Sequence, residues 1–247
     1  MEHIDYILIP LIAFLAFIVK AMTGFGPAIV VISLGSLLIA PHTIIATSAI
    51  LDFLAGMILL RLDWSGKATR FWLPLAAAIV IGSVLGAVFL KLIPPAQFNI
   101  MLAIVIFLLG LWFAFGRDGT NTEGLRKTLK HRCSTVDMLF TFVGGICGGL
   151  FGISGPPIIW HFGRQYAKTA FRQIVVPIFL AAAVARIVTY SAVGIVNVKV
   201  LTYVAAGLPG LLLGLFVGNK IFYQLSEKLF SRIVAVILIA VAVKLLV

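Results

Sequence analysis

Eight apolar stretches separated by polar connections leave this chain few folds to choose from. They are Tyr6–Ala40, Thr43–Leu60, Phe71–Leu92, Phe98–Gly116, Asp137–Gly163, Ile174–Val193, Val200–Lys220 and Phe230–Val247. Most reach the roughly 20 apolar residues that cross a bilayer as a helix, about twice the length of a membrane strand. Hydrophobic residues make up 62% of the chain and charged ones 11%, with a mean hydropathy of +1.18. That balance excludes a water-soluble domain and predicts an all-α polytopic membrane protein with the lipid bilayer as its partner. The net charge of +11 does not require nucleic acid, because basic residues of membrane proteins gather in cytoplasmic loops. Glu2 and Asp5 stand where a signal peptide would carry basic residues, so the N-terminus reads as part of the first span. Cys133 and Cys147 form neither a disulfide framework nor a zinc site.

Two of the stretches are interrupted. The first contains Gly24-Phe25-Gly26-Pro27 and the fifth contains Gly152-Ile153-Ser154-Gly155-Pro156-Pro157. Proline has no N–H and fixes φ, which suits the first position of a helix and disrupts an interior. One helix should therefore end near Thr23 and another begin near Pro27, with the same event between Phe151 and Pro156. Backbone freed in this way survives at membrane depth only inside protein or beside a wet cavity.

The interruptions recur in register. Ser154-Gly155 follows the first break by 129 residues, and a Gly-xxx-Gly pair at Gly82 and Gly86 returns 128 residues later at Gly210 and Gly214. Two landmarks holding register predict a repeat: an N-terminal half over 1–116, a hydrophilic linker over 117–135 and a C-terminal half over 136–247. The glycine-rich run Gly144–Gly152 precedes no Gly-Lys-Ser and reads as close helix packing.

Tyr6–Ala40 is 35 residues long, about 52 Å as a helix and too long for one crossing of a core about 30 Å thick. If each broken segment folds back to its starting side, 14 basic residues in the connections share one side. Only Lys91, Lys199 and Lys244 fall on the other. If each crosses once, the same charges divide 10 to 7. The bias favours the fold-back. Each half then makes an odd number of full crossings, so the halves are inverted relative to each other and both termini are non-cytoplasmic.

Inverted repeats with broken helices are the architecture of secondary transporters, whose sites lie near the midplane where the breaks meet. A helix starting there points free N–H groups and the positive end of its dipole inward, a ready anion site. The candidate substrate-binding residues are Lys20, Thr23, Gly24, Phe25, Gly26, Gly152, Ser154, Gly155 and Arg186. Thr23 and Ser154 add hydroxyls, and Lys20 and Arg186 add full charge. A charge at this depth costs on the order of 3 kcal/mol, so Asp52, on the span that corresponds to that of Arg186, has two readings. It is either the proton-coupling group or the ion-pair partner of Arg186. His161 is placed near the cytoplasmic surface. No hydrolase, zincin or phosphate-loop signature occurs, so no enzyme activity, cofactor or metal is expected.

With "TGFGPAIV" and "FGISGPPII" at the two breaks, two repeated halves and a hydrophilic central loop, the whole chain resembles the TauE/SafE family of membrane permeases. That resemblance implies a small sulfur oxyanion, sulfite or an organosulfonate, exported with proton coupling across a bacterial inner membrane. Many relatives are richer in glycine at the first break. A passive anion channel and a non-transporting membrane assembly protein are the alternatives. A channel needs no titratable group such as Asp52, and an assembly protein needs no water at the breaks.

Overall fold

The computed structural model describes residues 2–23, 27–63, 69–115, 133–162, 165–166 and 168–221. Every regular element among them is helical: α1 (Glu2–Thr23), α2 (Pro27–Gly35), α3 (Pro41–Asp63), α4 (Thr69–Leu92), α5 (Pro95–Phe115), α6 (Thr135–Phe151), α7 (Gly155–Phe162), α8 (Lys168–Ala192) and α9 (Val198–Ile221). Four of these are long and apolar enough to cross a membrane, namely α3, α4, α8 and α9. The expected last span, Phe230–Val247, and most of the 117–135 linker lie outside the described residues.

Both breaks fall where the prolines and glycines require. Pro27 opens α2, and α3 and α5 also begin on proline, the position at which the missing N–H removes no helical bond. Gly152 ends α6 at φ 76°, its N–H donating to Gly148 O at 2.9 Å. A left-handed residue of this kind closes a helix, and glycine takes it without penalty.

Each short helix folds back on the helix before it, α2 on α1 and α7 on α6. With 9 and 8 residues, they extend about 13 and 12 Å, under half the hydrocarbon core. The second hairpin closes fully: His161 near the end of α7 meets Asp137 in the first turn of α6 at 2.6 Å.

Small residues set the remaining packing. Gly82 and Gly86 of α4 lie against Gly145 and Gly149 of α6 so closely that a Cβ on any of them would strike the facing backbone. Gly210, Gly214 and Gly218 of α9 rest on Pro10, Phe14 and Ile18 of α1 in the same manner. Close backbone approach of this kind is how helices associate where lipid and side chain are equally apolar. The glycine-rich run of α6 is therefore a packing surface, as its sequence indicates. It has two faces, since Gly144 and Gly148 make room for Ser154 and Ile158 on the returning strand of the hairpin. The pairing crosses between halves: α1 packs on α9, α4 on α6, and α3 on α8.

Candidate functional site

Three charged side chains meet inside the helices. Lys20 lies in the last turn of α1, Asp52 at the middle of α3 and Arg186 on α8, and all three are buried, at 2%, 6% and 2% exposure. Lys20 Nζ donates to Asp52 Oδ1 and, at 2.9 Å, to the Asp52 carbonyl. Arg186 Nη2 donates to Asp52 Oδ2 at 2.9 Å. One carboxylate thus stands between two cations, and the cluster carries a net charge of +1. A buried charge must be paired and hydrogen-bonded, and each carboxylate oxygen has one cation.

Arg186 also holds the second break in place. Its Nη1 donates to Gly152 O at 2.9 Å and its Nε to Ala182 O at 3.4 Å. Tyr190, one turn further along α8, donates from its hydroxyl to Gly149 O at 2.6 Å. Arg186 Nη1 and the Tyr190 hydroxyl thus satisfy carbonyls at the C-terminal end of α6 that have no partner within the helix. Arg186 has five N–H donors, and three are engaged among the described residues.

A cavity of about 20 Å³ lies at this cluster, room for about one water molecule. Pro27, Ala28 and Ile29 of the first break line it, as do Gly152–Gly155 of the second, together with Asp52, Phe179 and Arg186. The starts of α2 and α7 therefore reach the same point from different halves of the chain. Ser154 is 6% exposed, and its Oγ, fully buried, has no hydrogen-bond partner among the described residues.

Of the residues singled out from sequence, the structure gathers Lys20, Asp52, Gly152, Ser154, Gly155 and Arg186 at one place. Gly24, Phe25 and Gly26 and the side chain of Thr23 lie outside the described residues. Of the two readings of Asp52, the ion pair with Arg186 is present, and Lys20 joins it. His161 stands apart, at the foot of the α6–α7 hairpin. Phe179 and Tyr190 were not anticipated. They lie two turns before and one turn after Arg186 on α8, so helical spacing from the buried arginine was the signal that could have found them. No group of three or more metal-ligating side chains occurs among the described residues.

The sequence profile of the sulfite exporter TauE/SafE family matches residues 9–245. The chain is 24% identical over 236 residues to a protein of Cupriavidus necator described as "Probable sulfite/organosulfonate exporter TauE". The match covers 92% of this chain and 88% of that protein. No solved structure matches the chain.

Proposed function

Because the chain belongs to the sulfite exporter TauE/SafE family, we propose that it is a secondary transporter exporting a small oxyanion, sulfite or an organosulfonate, across a bacterial inner membrane. The observation that carries this reading is the convergence of both helix breaks on the buried Lys20–Asp52–Arg186 cluster. The anion takes its charge from Arg186 and Lys20 and its hydrogen bonds from Ser154 Oγ and from N–H groups at the two breaks, where Thr23, Gly24, Phe25, Gly26, Gly152 and Gly155 complete the lining. Charge-assisted bonds of this type are roughly twice as strong as neutral ones.

Coupling follows from charge arithmetic. The two cations hold two negative charges between them. Asp52 with a monoanion satisfies them, and so does a dianion if Asp52 takes up a proton. A dianion that engages both cations therefore arrives together with a proton on Asp52. Anion and proton then travel together.

The cavity is narrower than an oxyanion, so the hairpins must part to admit one. The halves 1–116 and 136–247, joined by the cytoplasmic linker 117–135, act as inverted repeats that rock about the fixed site, with both termini outside the cytoplasm. Alternating access in such folds is largely rigid-body motion of one repeat against the other.

The test is a reconstituted vesicle assay. Wild-type protein should accumulate sulfite under a pH gradient. Asp52→Asn should retain anion exchange between loaded vesicles and lose gradient-driven accumulation. Accumulation by Asp52→Asn at the wild-type rate refutes proton coupling through this carboxylate, and absence of any anion flux in the wild type refutes the transporter reading.

A further inference from the structure

The second hairpin has at its foot a polar cluster that the anion site does not use. Asp137 is 3% exposed. Its Oδ2 accepts the Ser134 backbone N–H at 2.8 Å, closing a capping box at the start of α6, and its Oδ1 lies 2.6 Å from His161 Nε2. Gln165 approaches the same ring nitrogen at 3.1 Å. Phe140 stacks flat on the imidazole, with centroids 4.6 Å apart and planes at 7°, while Phe162 meets it edge-on. The ring is thus fixed in plane and aimed at the carboxylate.

The positions that correspond by the repeat offset in the first hairpin are apolar. Subtracting the repeat offset of 129 residues from Asp137 and His161 gives Leu8 and Ile32. The halves resemble each other at their breaks and differ at their feet. Among the described residues, α7 is the short helix clasped by a titratable pair, and it begins at Gly155, on the wall of the anion cavity.

We propose that Asp137 and His161 form a proton-binding clasp that positions α7, so that protonation at the foot of the hairpin sets how firmly the start of α7 is held at the anion cavity. The effect on the anion rests on the function proposed above. Protonated His161 makes a charged hydrogen bond with the buried Asp137 carboxylate, and neutral His161 keeps a weaker one. The sign follows: the contribution of the charged pair is present while the pair holds a proton and is lost when rising pH removes it. Among the described residues, the other titratable groups facing the pair are Cys133 and Tyr166. Burial, and secondarily the charge of Asp137, pushes the Cys133 thiol up to about 11 and the Tyr166 phenol up to about 12. Both stay neutral near neutral pH, so among the described groups of the cluster a change of charge falls on the Asp137–His161 pair.

The experiment measures amide hydrogen exchange across 155–162 in the full-length purified protein without added anion, at about pH 6 and about pH 8, corrected for intrinsic exchange. Wild-type α7 should exchange about fivefold more slowly at the lower pH, the difference between a charged and a neutral hydrogen bond. His161→Gln and Asp137→Asn should each remove that difference while exchange in α8 is unchanged. Equal protection of wild-type α7 at both pH values, or a pH difference that survives in His161→Gln, overturns the clasp. Methanesulfonate, whose charge is constant over this interval, then reports the link to the cavity by calorimetry. Wild-type affinity should fall about fivefold on going to the higher pH, and His161→Gln affinity should not change. A wild-type affinity that ignores pH while α7 responds to it overturns the positioning role. Methanesulfonate binding absent from every variant, with the exchange difference intact, supports the clasp and counts against the anion-site reading instead.

Discussion

Replacing Asp52 by Asn removes the one negative charge between Lys20 and Arg186, both with side chains no more than 3% exposed. The amide matches the carboxylate in size, so packing is held constant and electrostatics changes. Removing one partner of a buried pair leaves an uncompensated charge and costs about 3–5 kcal/mol. At about 2–4 °C per kcal/mol for a chain near this length, the midpoint of thermal unfolding in detergent should fall by roughly 6–20 °C. The mutant carries a second consequence that an ordinary destabilised variant does not. Two cations without a counter-ion form a stronger anion trap than the wild-type cluster. Sulfite or methanesulfonate at about 100 times its Kd stabilises by about 2.7 kcal/mol. These anions should therefore restore more of the midpoint in Asp52→Asn than they add to the wild type, and a neutral sulfone of similar shape should restore none. A dye-free scanning fluorimetry series with each additive reads both effects. Wild-type stability in Asp52→Asn, or equal gains from the anion and the neutral analogue, would show that the cluster does not govern anion binding.

Three further outcomes follow from the same geometry. Ser154→Ala removes a buried hydroxyl with no partner among the described residues; thermal stability should hold or rise slightly, while anion affinity by calorimetry falls about tenfold, the value of one hydrogen bond to a charged group. Arg186→Gln should weaken sulfonate binding far more than binding of a neutral sulfone, measured as the ratio of the two affinities, and should cost less stability than Asp52→Asn because Lys20 still balances the Asp52 carboxylate. Gly86→Leu drives a side chain into the Ile146 carbonyl across the α4–α6 contact; the yield of monodisperse protein on size exclusion should collapse, whereas leucine at the outward-facing Val88 should leave it unchanged.

Chain-local chemistry decides part of this architecture, and that part was legible before any coordinates. Helices stop at Thr23 and Phe151 and restart at Pro27 and Gly155 because a proline without an N–H and a glycine at positive φ act within one turn. The apolar runs announce their helices because lipid gives the backbone no other partner. Arg186, Asp52 and Lys20 stand out for a related reason: a charge in an apolar run needs compensation, so each carries the expectation of a partner. Which partner it finds is not a local property. Lys20 and Asp52 are 32 residues apart and Asp52 and Arg186 are 134 apart, and only the crossing of α1, α3 and α8 brings two cations to one carboxylate. The same crossing turns glycines of α4 toward α6 and those of α9 toward α1, a choice among helix faces that apolar sequence does not encode, since lipid-facing and core-facing sides look alike. Phe179 on the cavity wall, Tyr190 on the Gly149 carbonyl and His161 at Asp137 belong to the tertiary structure for that reason. Proline and glycine set where the chain turns, and long-range packing sets which charges meet at the turn.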